Sequence, residues 1–291
     1  DIDLVCLTEV NKDWRSVRQE NTIWNGTMGW RRERRVQVSQ NTTQITEKES
    51  VVGGTAMVGF DNTVFRITNQ GCDTRKLGRW SHMSLTGKND VITTFITCYC
   101  PVKGTSPGSV YAQHLLYMSN NISQYPDNIV CPRQLFGHDL RIFIEDKLNK
   151  QHQIVVSGDF NSCYEDLSNW MLELGLQDLI HEKHGQGPIT YERSREDPID
   201  CIFGSPSLKI SKGGYLSFGR LQSDHRGIWI DIPHYSIYGF NPPPVLHPNA
   251  RKLKKRDPRI VKKYLDLLHT VFLSMICTTE WTRYTQAQWD L

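Results

Sequence analysis

The sequence predicts an α/β fold, a layered sandwich of two mixed β-sheets flanked by helices. Short apolar runs rich in Val, Ile, Thr and Phe alternate with segments of helical periodicity along most of the chain. The strand-like runs outnumber the helical segments, which favours packed sheets with helices outside them. The composition, 38% hydrophobic and 22% charged, is typical of a globular protein and argues against disorder or a coiled coil.

Strands are predicted where β-branched and aromatic residues cluster between turn-forming residues, and helices where apolar residues recur every three or four positions. The predicted strands are residues 2–8, 55–59, 64–67, 79–85, 91–98, 153–157, 199–203 and 228–232. The predicted helices are residues 109–120, 134–149 and 167–174. The basic run 31–35 is expected to be a solvated loop, with phosphate contact as the less favoured alternative.

Three prolines at 242–244 and a basic run at 251–256 mark a domain boundary. We therefore expect a catalytic-type domain over residues 1–236, a Pro-rich and basic linker over 237–256, and an amphipathic helical tail over 257–291. Residues 1–240 carry a net charge of −2 and residues 241–291 a net charge of +5. The basic character of the protein therefore belongs to the tail.

No run reaches the roughly 18 to 20 continuous apolar residues of a membrane span, and no targeting signal is visible. We expect no membrane partner and an intracellular location. The eight cysteines include no CxxC pair. Several lie inside apolar runs, which favours buried thiols over disulfides or a zinc site.

The strongest local motif is Gly158-Asp159-Phe160-Asn161, which ends an apolar strand. A carboxylate and an amide two residues apart lie on one face of a strand. Asp159 is thus suited to take a proton from water, and Asn161 to donate a hydrogen bond to a phosphate oxygen. The alternative is an ordinary strand-ending turn, since Gly-Asp and Asn-Ser are common turn pairs.

Five other polar positions lie at or near the ends of strand-like runs. Asp224 and His225 precede the strand 228–232, and Asp200 lies within an apolar strand, where its charge needs a partner such as an imidazolium. Glu9 and Tyr99 each end a strand, with a carboxylate suited to a metal and a phenol suited to phosphate. Each position alone has a structural explanation, but active sites collect where several strand ends converge.

Together these pieces resemble the endonuclease/exonuclease/phosphatase superfamily, which includes apurinic-site endonucleases and deoxyribonuclease I-like enzymes. The family order is a Glu ending an early strand, then Tyr-x-Pro, Gly-Asp-x-Asn, Ile-Asp-x-Ile/Phe and Ser-Asp-His. All five occur here in that order between Glu9 and His225. The resemblance therefore spans nearly the whole first domain.

The resemblance implies a role for each matching residue. Glu9 and Asp224 would be ligands of Mg²⁺, with Mn²⁺ as the alternative ion, and Tyr99 and Asn161 would contact the phosphate. Asp159 would activate the attacking water, and Asp200 would orient His225 at the scissile phosphate. Thr190 and Tyr191 resemble a Thr-Tyr/Trp element near bound substrate, although a plain strand would explain them equally well.

The segment after the prolines resembles the link between endonuclease and reverse transcriptase in non-LTR-retrotransposon-like polyproteins. This implies DNA nicking, DNA and a downstream reverse transcriptase as partners, and action in the nucleus. The alternatives are a phosphatase or phospholipase of the same superfamily, or a non-catalytic relic or binding module. Family members begin with a strand carrying an Asn beside the metal. This chain starts after that strand would have ended, so we expect the sheet to lack its first strand and the metal to bind weakly.

Overall fold

The computed structural model describes residues 2–15, 17–18, 22–27, 33–43, 51–104, 106–180, 187–194, 197–240 and 257–276, without the side chains of 271–276. The chain divides into two compact units, Asp1–Pro242 and Pro243–Leu291. The first unit combines strands and helices in layers, so the predicted α/β class is confirmed.

The strands are β1 (Leu4–Thr8), β2 (Arg34–Ser39), β3 (Thr55–Phe60), β4 (Ile67–Cys72), β5 (Trp80–Thr86), β6 (Ile92–Tyr99), β7 (Gln153–Asp159), β8 (Gln177–Asp178), β9 (Asp200–Gly204), β10 (Lys212–Tyr215) and β11 (Ile228–Asp231). The helices are α1 (Ile23–Gly26), α2 (Val110–Asn120), α3 (Pro132–Asn149), α4 (Tyr164–Glu173), α5 (His234–Tyr238) and α6 (Pro258–Ile276). Two 3-10 helices occupy Asp61–Arg66 and Ile122–Gln124.

The largest sheet has six strands in the order β4-β5-β6-β7-β9-β8. It is mixed, because β6 and β7 run parallel while the other neighbouring pairs are antiparallel. A three-stranded antiparallel sheet has the order β1-β3-β2, and β10 and β11 form a two-stranded ribbon. Because β1 contacts both β6 and β7, the three-stranded sheet lies against one face of the large sheet.

The helices α3 and α4 cover the opposite face of the large sheet. Alternate residues of β6 and β7 point toward these helices, as the two-residue period of a strand requires. The resulting core is closed by aromatic side chains, with Phe160 and Phe203 in edge-to-face contact at a centroid distance of 6.1 Å. Its buried members include Trp80, Ile96, Phe136, Leu140, Ile144, Ile154, Val156, Leu167 and Met171.

Local chemistry explains where α2 and α3 begin. The hydroxyl of Ser109 accepts a hydrogen bond from the backbone N–H of Ala112, which caps α2. Pro132 occupies the first turn of α3, where its missing N–H costs nothing. Both helices therefore start where the sequence supplies a cap or a proline.

Two sequence predictions are wrong. Of the predicted strand 64–67 only Ile67 belongs to a strand, β4, because Asp61 adopts a positive φ of 49° directly after β3 and the chain turns through a 3-10 helix up to Arg66. In the run 31–35, expected to be a solvated loop, Glu33 is exposed in a bend, but the two arginines that follow it are not in a loop. Arg34 and Arg35 belong to β2, and the Arg34 guanidinium donates to the carbonyl of Trp24 and stacks 4.4 Å from its ring centroid. Residues 31–32 lie outside the described residues.

In the second unit, α6 is an amphipathic helix whose apolar side chains are exposed, including Tyr264 and Leu267. Searched over the described residues, no helix is both long enough and apolar enough to cross a membrane.

The imidazole of His114 makes the fold sensitive to acid. It is 1% exposed, its Nε2–H donates to the Leu77 carbonyl at 3.0 Å, and its Nδ1 has no hydrogen-bond partner among the described residues. Burial, followed by the charge of Arg79, lowers the pKa of His114 to about 4. An unfolded histidine titrates near pH 6.5, so the unfolded chain binds the extra proton and stability falls as pH drops from about 6.5 toward 4.

We therefore expect the free energy of unfolding to fall by about 1.4 kcal/mol per pH unit for this group within that window. His114→Gln should remove this contribution, which urea unfolding at several pH values measures. The control is His269→Gln, because His269 is exposed on α6. A variant His114→Gln with the wild-type pH slope would contradict the assignment.

Candidate active site

Three neighbouring inner strands, β6, β7 and β9, bring polar side chains together at the end of the large sheet where β6 and β7 finish and β9 begins. This end of the sheet is called the rim. In the parallel pairing of β6 with β7, Tyr99 lies opposite Asp159. In the antiparallel pairing of β7 with β9, Asp159 lies opposite Asp200. Because residues in register share a face of the sheet, the pairing alone places these three side chains side by side.

The backbone at the end of β7 requires the residue types found there. A Cβ at Gly158 would overlap the carbonyl oxygen of Cys98 on β6, so only glycine lets the two strands approach this closely. Asn161 has a positive φ of 47°, a conformation that asparagine tolerates better than most residues. The glycine and the asparagine of the motif thus have structural reasons independent of any catalytic role.

Asp159 is buried, with 2% of its surface exposed, and Asn161 satisfies its carboxylate. The Asn161 backbone N–H donates to one oxygen at 3.0 Å and its side-chain amide donates to the other at 2.9 Å. Burial, reinforced by the charge of Asp200, raises the pKa of Asp159 well above its usual range. A carboxylate in this environment is a stronger base than one in water.

His225 forms the second polar pair of the site. Its Nδ1 lies 2.8 Å from the Asp200 carboxylate. Burial lowers the pKa of His225, but the hydrogen bond with Asp200 and its charge outweigh burial and raise the pKa to about 9. The ring is therefore an imidazolium at neutral pH, as expected for the partner of a carboxylate in an apolar strand.

Neighbouring groups hold this pair in place. The Thr190 hydroxyl accepts hydrogen bonds from the backbone N–H groups of Ile199 and Asp200, at 3.0 and 3.1 Å. The ring of Tyr191 stacks on that of His225 at a centroid distance of 4.9 Å. Thr190 is fully buried, so its hydroxyl positions Asp200 and is not presented to a ligand, whereas Tyr191 is half-buried.

Glu9 follows β1 and adopts a positive φ of 49°. Burial, together with the charge of Glu9 and a hydrogen bond to it, raises the pKa of the Tyr99 phenol. Tyr99 is therefore a neutral donor to Glu9, and it is only 4% exposed. The structure thus places the predicted metal-binding glutamate beside the predicted phosphate-binding tyrosine.

The cluster offers suitable donors for a divalent cation. One ligand atom each from Asp159, Asp200 and His225 lie within 4.8 Å of one another, the group with metal-ligand spacing found among the described residues. Because His225 is protonated and hydrogen-bonded, the carboxylates are the available donors, and hard oxygen donors suit Mg²⁺ and Mn²⁺. Burial, followed by the charges of Asp200 and Glu9, raises the pKa of Asp159, and a cation at this position would favour its ionised form.

Glu9 and Asp224 lie outside this three-residue group. Asp224 is exposed, its charge raises the pKa of the adjacent His225, and its backbone carbonyl accepts a hydrogen bond from the Glu192 N–H. The charge of Glu9 acts on both Tyr99 and Asp159. The negative charges of Glu9 and Asp224 therefore act on members of the three-residue group without belonging to it.

Sequence reasoning missed two positioning residues. The Ser223 hydroxyl accepts from the backbone N–H of His225 at 3.0 Å, and the Ser-x-His spacing is a recognisable turn signal. The Arg133 guanidinium on α3 donates to the carbonyl of Pro101 and the hydroxyl of Ser162. It thereby links the loops that follow β6 and β7, and no local motif indicates this.

The fold is shared with solved endonuclease/exonuclease/phosphatase structures. The APE2 catalytic domain from Xenopus laevis matches with a TM-score of 0.54 and 14% identity, over 80% of this chain and 84% of that chain. The 3′ phosphatase NExo from Neisseria, bound to a product DNA hairpin, matches at 0.53 and 17%, over 79% and 88%. A protein of this family from Leptotrichia buccalis matches at 0.51 and 16%, over 79% and 87%. No protein-family model and no curated protein matches the sequence.

The Asp200 carboxylate should control the protonation of His225. Because burial alone lowers the histidine pKa, Asp200→Asn should lower it by at least about one unit in the metal-free protein. NMR titration of the imidazole resonances measures this, with exposed Asp231→Asn on β11 as the control. A wild-type His225 that titrates below the ordinary value of about 6.5 would contradict the account.

Proposed function

We propose that this chain hydrolyses phosphodiester bonds in DNA with a divalent metal ion, as a nicking endonuclease. The observation that supports this most strongly is the convergence of two hydrogen-bonded pairs, Asp159 with Asn161 and Asp200 with His225, at one strand-end rim. The fold that carries this rim is shared with proteins described as a 3′ phosphatase and a 3′–5′ exonuclease. A carboxylate that can accept a proton, Asp159, next to the positively charged imidazolium of His225 suits attack on a phosphate ester.

Asp159 would act as the general base. Its raised pKa makes it an effective proton acceptor, and Asn161 holds its two carboxylate oxygens in a fixed orientation. Such orientation matters because in-line attack requires the base, the water and the phosphorus to be aligned. The proton lost by the attacking water would move to an Asp159 carboxylate oxygen.

His225 would stabilise the negative charge that builds on the phosphate. Its Nδ1–H is held by Asp200, which leaves Nε2–H as a donor for a phosphate oxygen. The amide of Asn161 and the phenol of Tyr99 would supply further donors. Both are engaged within the protein here. Substrate binding would exchange the bond from the Asn161 amide to the Cys100 carbonyl, and the bond from Tyr99 to Glu9, for bonds to phosphate, while the bonds from Asn161 to Asp159 would remain.

Glu9 and Asp224 would hold the metal ion beside Asp159, and Mg²⁺ is the ion we propose, with Mn²⁺ as a substitute. The bound ion would supply Lewis-acid stabilisation of the phosphate and the leaving oxygen. The ion would also balance the carboxylate charge that the fold concentrates at this rim. The carboxylates are therefore best explained as a site that is complete only with a cation.

DNA is the proposed substrate because one solved structure of this fold, the 3′ phosphatase NExo, is bound to a product DNA hairpin. The tail adds a further proposal, that the parent is a retroelement-like polyprotein with a reverse transcriptase downstream. Its support is the basic segment 251–256 followed by an exposed amphipathic α6. A phosphatase or phospholipase of the same fold is the alternative, and salt-dependent retention on DNA distinguishes the two.

Asp159→Asn should reduce the rate of plasmid nicking at least about a hundredfold, the scale expected when a general base is removed, and leave DNA affinity nearly unchanged. The measurement is nicking under single-turnover conditions together with equilibrium binding to the same DNA. Asp127→Asn serves as the control, because Asp127 is exposed in the α2–α3 connection. Wild-type turnover by Asp159→Asn would exclude the proposed role.

Removal of divalent ions should abolish nicking, since the carboxylate-rich rim otherwise repels the phosphate. Nicking should stop in EDTA and return when excess Mg²⁺ or Mn²⁺ is added. Unfolding curves in EDTA and in Mg²⁺ establish that the fold is intact in both. Undiminished nicking in EDTA would show that the reaction needs no metal.

A further inference from the structure

Glu9, the candidate metal ligand, has a backbone conformation that needs support from its surroundings. β1 ends at Thr8, which still lies opposite Thr55 of β3, and Glu9 then adopts a positive φ of 49°. Glutamate rarely adopts this left-handed conformation and keeps it only where neighbouring contacts enforce it. Glu9 is exposed, so packing of its own side chain does not supply that support. The residues that follow it do.

Asn11 joins the chain directly after Glu9 to Gly53. Its backbone N–H donates to the Gly53 carbonyl at 2.8 Å, and its side-chain Oδ1 accepts a hydrogen bond from the Gly53 N–H at 2.7 Å. The N–H of Val10 donates to the Gly54 carbonyl at 3.3 Å. Gly53 is buried, and buried backbone groups need partners, which Asn11 supplies for both its N–H and its carbonyl. These three hydrogen bonds form the Asn11 clamp.

The two glycines allow the clamp to form. Gly53 and Gly54 have positive φ values of 81° and 88°, which residues with a side chain rarely tolerate. A Cβ at Gly54 would lie 2.9 Å from the backbone oxygen of Ser39, and a Cβ at Gly53 would lie 3.6 Å from Cε1 of Tyr99. The clamp therefore lies directly beside the Tyr99 ring, whose phenol donates to Glu9. The clamp holds the backbone of Glu9 while Tyr99 holds its carboxylate.

The conformation of Asn11 does not by itself account for its side-chain contact. Asn11 has a positive φ of 53°, which asparagine tolerates. Asn89, in the turn between β5 and β6, is exposed and has nearly the same φ of 54°, yet its side chain makes no hydrogen bond within the described part of the chain. The bond from Gly53 to the Asn11 side chain joins residues 42 positions apart and is a separate feature. Asn89 therefore serves as a matched comparison.

We propose that Asn11 is a positioning residue for Glu9, and that its clamp fixes the Glu9 carboxylate where a divalent ion at the rim would bind it. The proposal rests on the proposed metal-dependent function. Residues that orient a metal ligand without touching the ion typically contribute about 10- to 100-fold to metal affinity. Asn11 is itself exposed, so its replacement should change the affinity for the ion and leave the fold intact.

Binding of Mn²⁺ in the absence of DNA tests this, measured by electron paramagnetic resonance of the free ion. Asn11→Gly keeps a residue that accepts a positive φ but removes the Oδ1 acceptor, and it should weaken Mn²⁺ binding about tenfold. Asn89→Gly is the same substitution at nearly the same φ, far from any candidate ligand, and should leave the affinity within about twofold of wild type. Equal affinities for wild type and Asn11→Gly would overturn the proposal.

A double-mutant cycle tests whether Asn11 acts through Glu9. Glu9→Gln alone should weaken Mn²⁺ binding. Asn11→Gly added to it should cause less than about a twofold further loss, because residues that act as a unit are not additive. A further loss of about tenfold in the Glu9→Gln background would show that Asn11 acts independently of Glu9 and would contradict the positioning role.

Failure of wild type to bind Mn²⁺ would count against the proposed function, and a measurement in EDTA then decides the clamp. The ¹⁵N order parameter of the Glu9 N–H should be about 0.85 in wild type and in Asn89→Gly, as in rigid backbone, and should fall below about 0.6 in Asn11→Gly. An unchanged order parameter in Asn11→Gly would overturn the proposal. Circular dichroism and urea unfolding establish that each variant is folded.

Discussion

The register of β6, β7 and β9 determines where every polar group of the site lies. Because Tyr99, Asp159 and Asp200 occupy neighbouring positions on three paired strands, a shift of one residue in either pairing would turn a side chain to the other face. The parallel pair β6–β7 is buried on both faces, which fixes that register by packing. Gly158 then allows the two strands to approach at the point where the site begins.

This geometry places the carboxylates of Asp159 and Asp200 close together, which is electrostatically unfavourable. Two carboxylates in adjacent strands repel each other, and burial strengthens the repulsion. Asn161 offsets part of it by donating two hydrogen bonds to Asp159, and His225 offsets part of it by pairing with Asp200. Burial, together with the remaining negative charge of Asp200, raises the pKa of Asp159, and this charge is what the proposed cation would offset.

A buried network of ion pairs joins the connection between β4 and β5 to helix α3. The fully buried Arg79 guanidinium pairs with Asp73 at 2.7 Å and with Asp139 of α3 at 2.8 Å, while its backbone carbonyl accepts from the Tyr99 N–H. Removing one partner of a buried pair typically costs about 3 to 5 kcal/mol, because it leaves a charge uncompensated. The network therefore fixes α3 and the end of β6 together, and with them Tyr99.

The sequence predicted the parts of this arrangement that depend on local pattern. The apolar run before Gly158, and the need of Asp200 for a partner, pointed to the rim and to the pairing with His225, which the structure places at 2.8 Å. Strands with polar or glycine-rich sequences, such as β4 and β10, were missed because tertiary pairing and not propensity forms them. The buried, positioning role of Thr190 was also not predicted, since it depends on hydrogen bonds from backbone N–H groups of Ile199 and Asp200, which no sequence pattern reveals.

The central claim is that this rim holds a divalent ion that supports phosphodiester hydrolysis. Anomalous diffraction from crystals soaked in Mn²⁺ tests it most directly, because it locates the ion without reference to activity. The account predicts an anomalous peak at the rim in contact with the carboxylates of Glu9, Asp159 or Asp224, and loss of that peak on addition of EDTA. A peak only elsewhere, or none at the rim of an intact crystal, would contradict it.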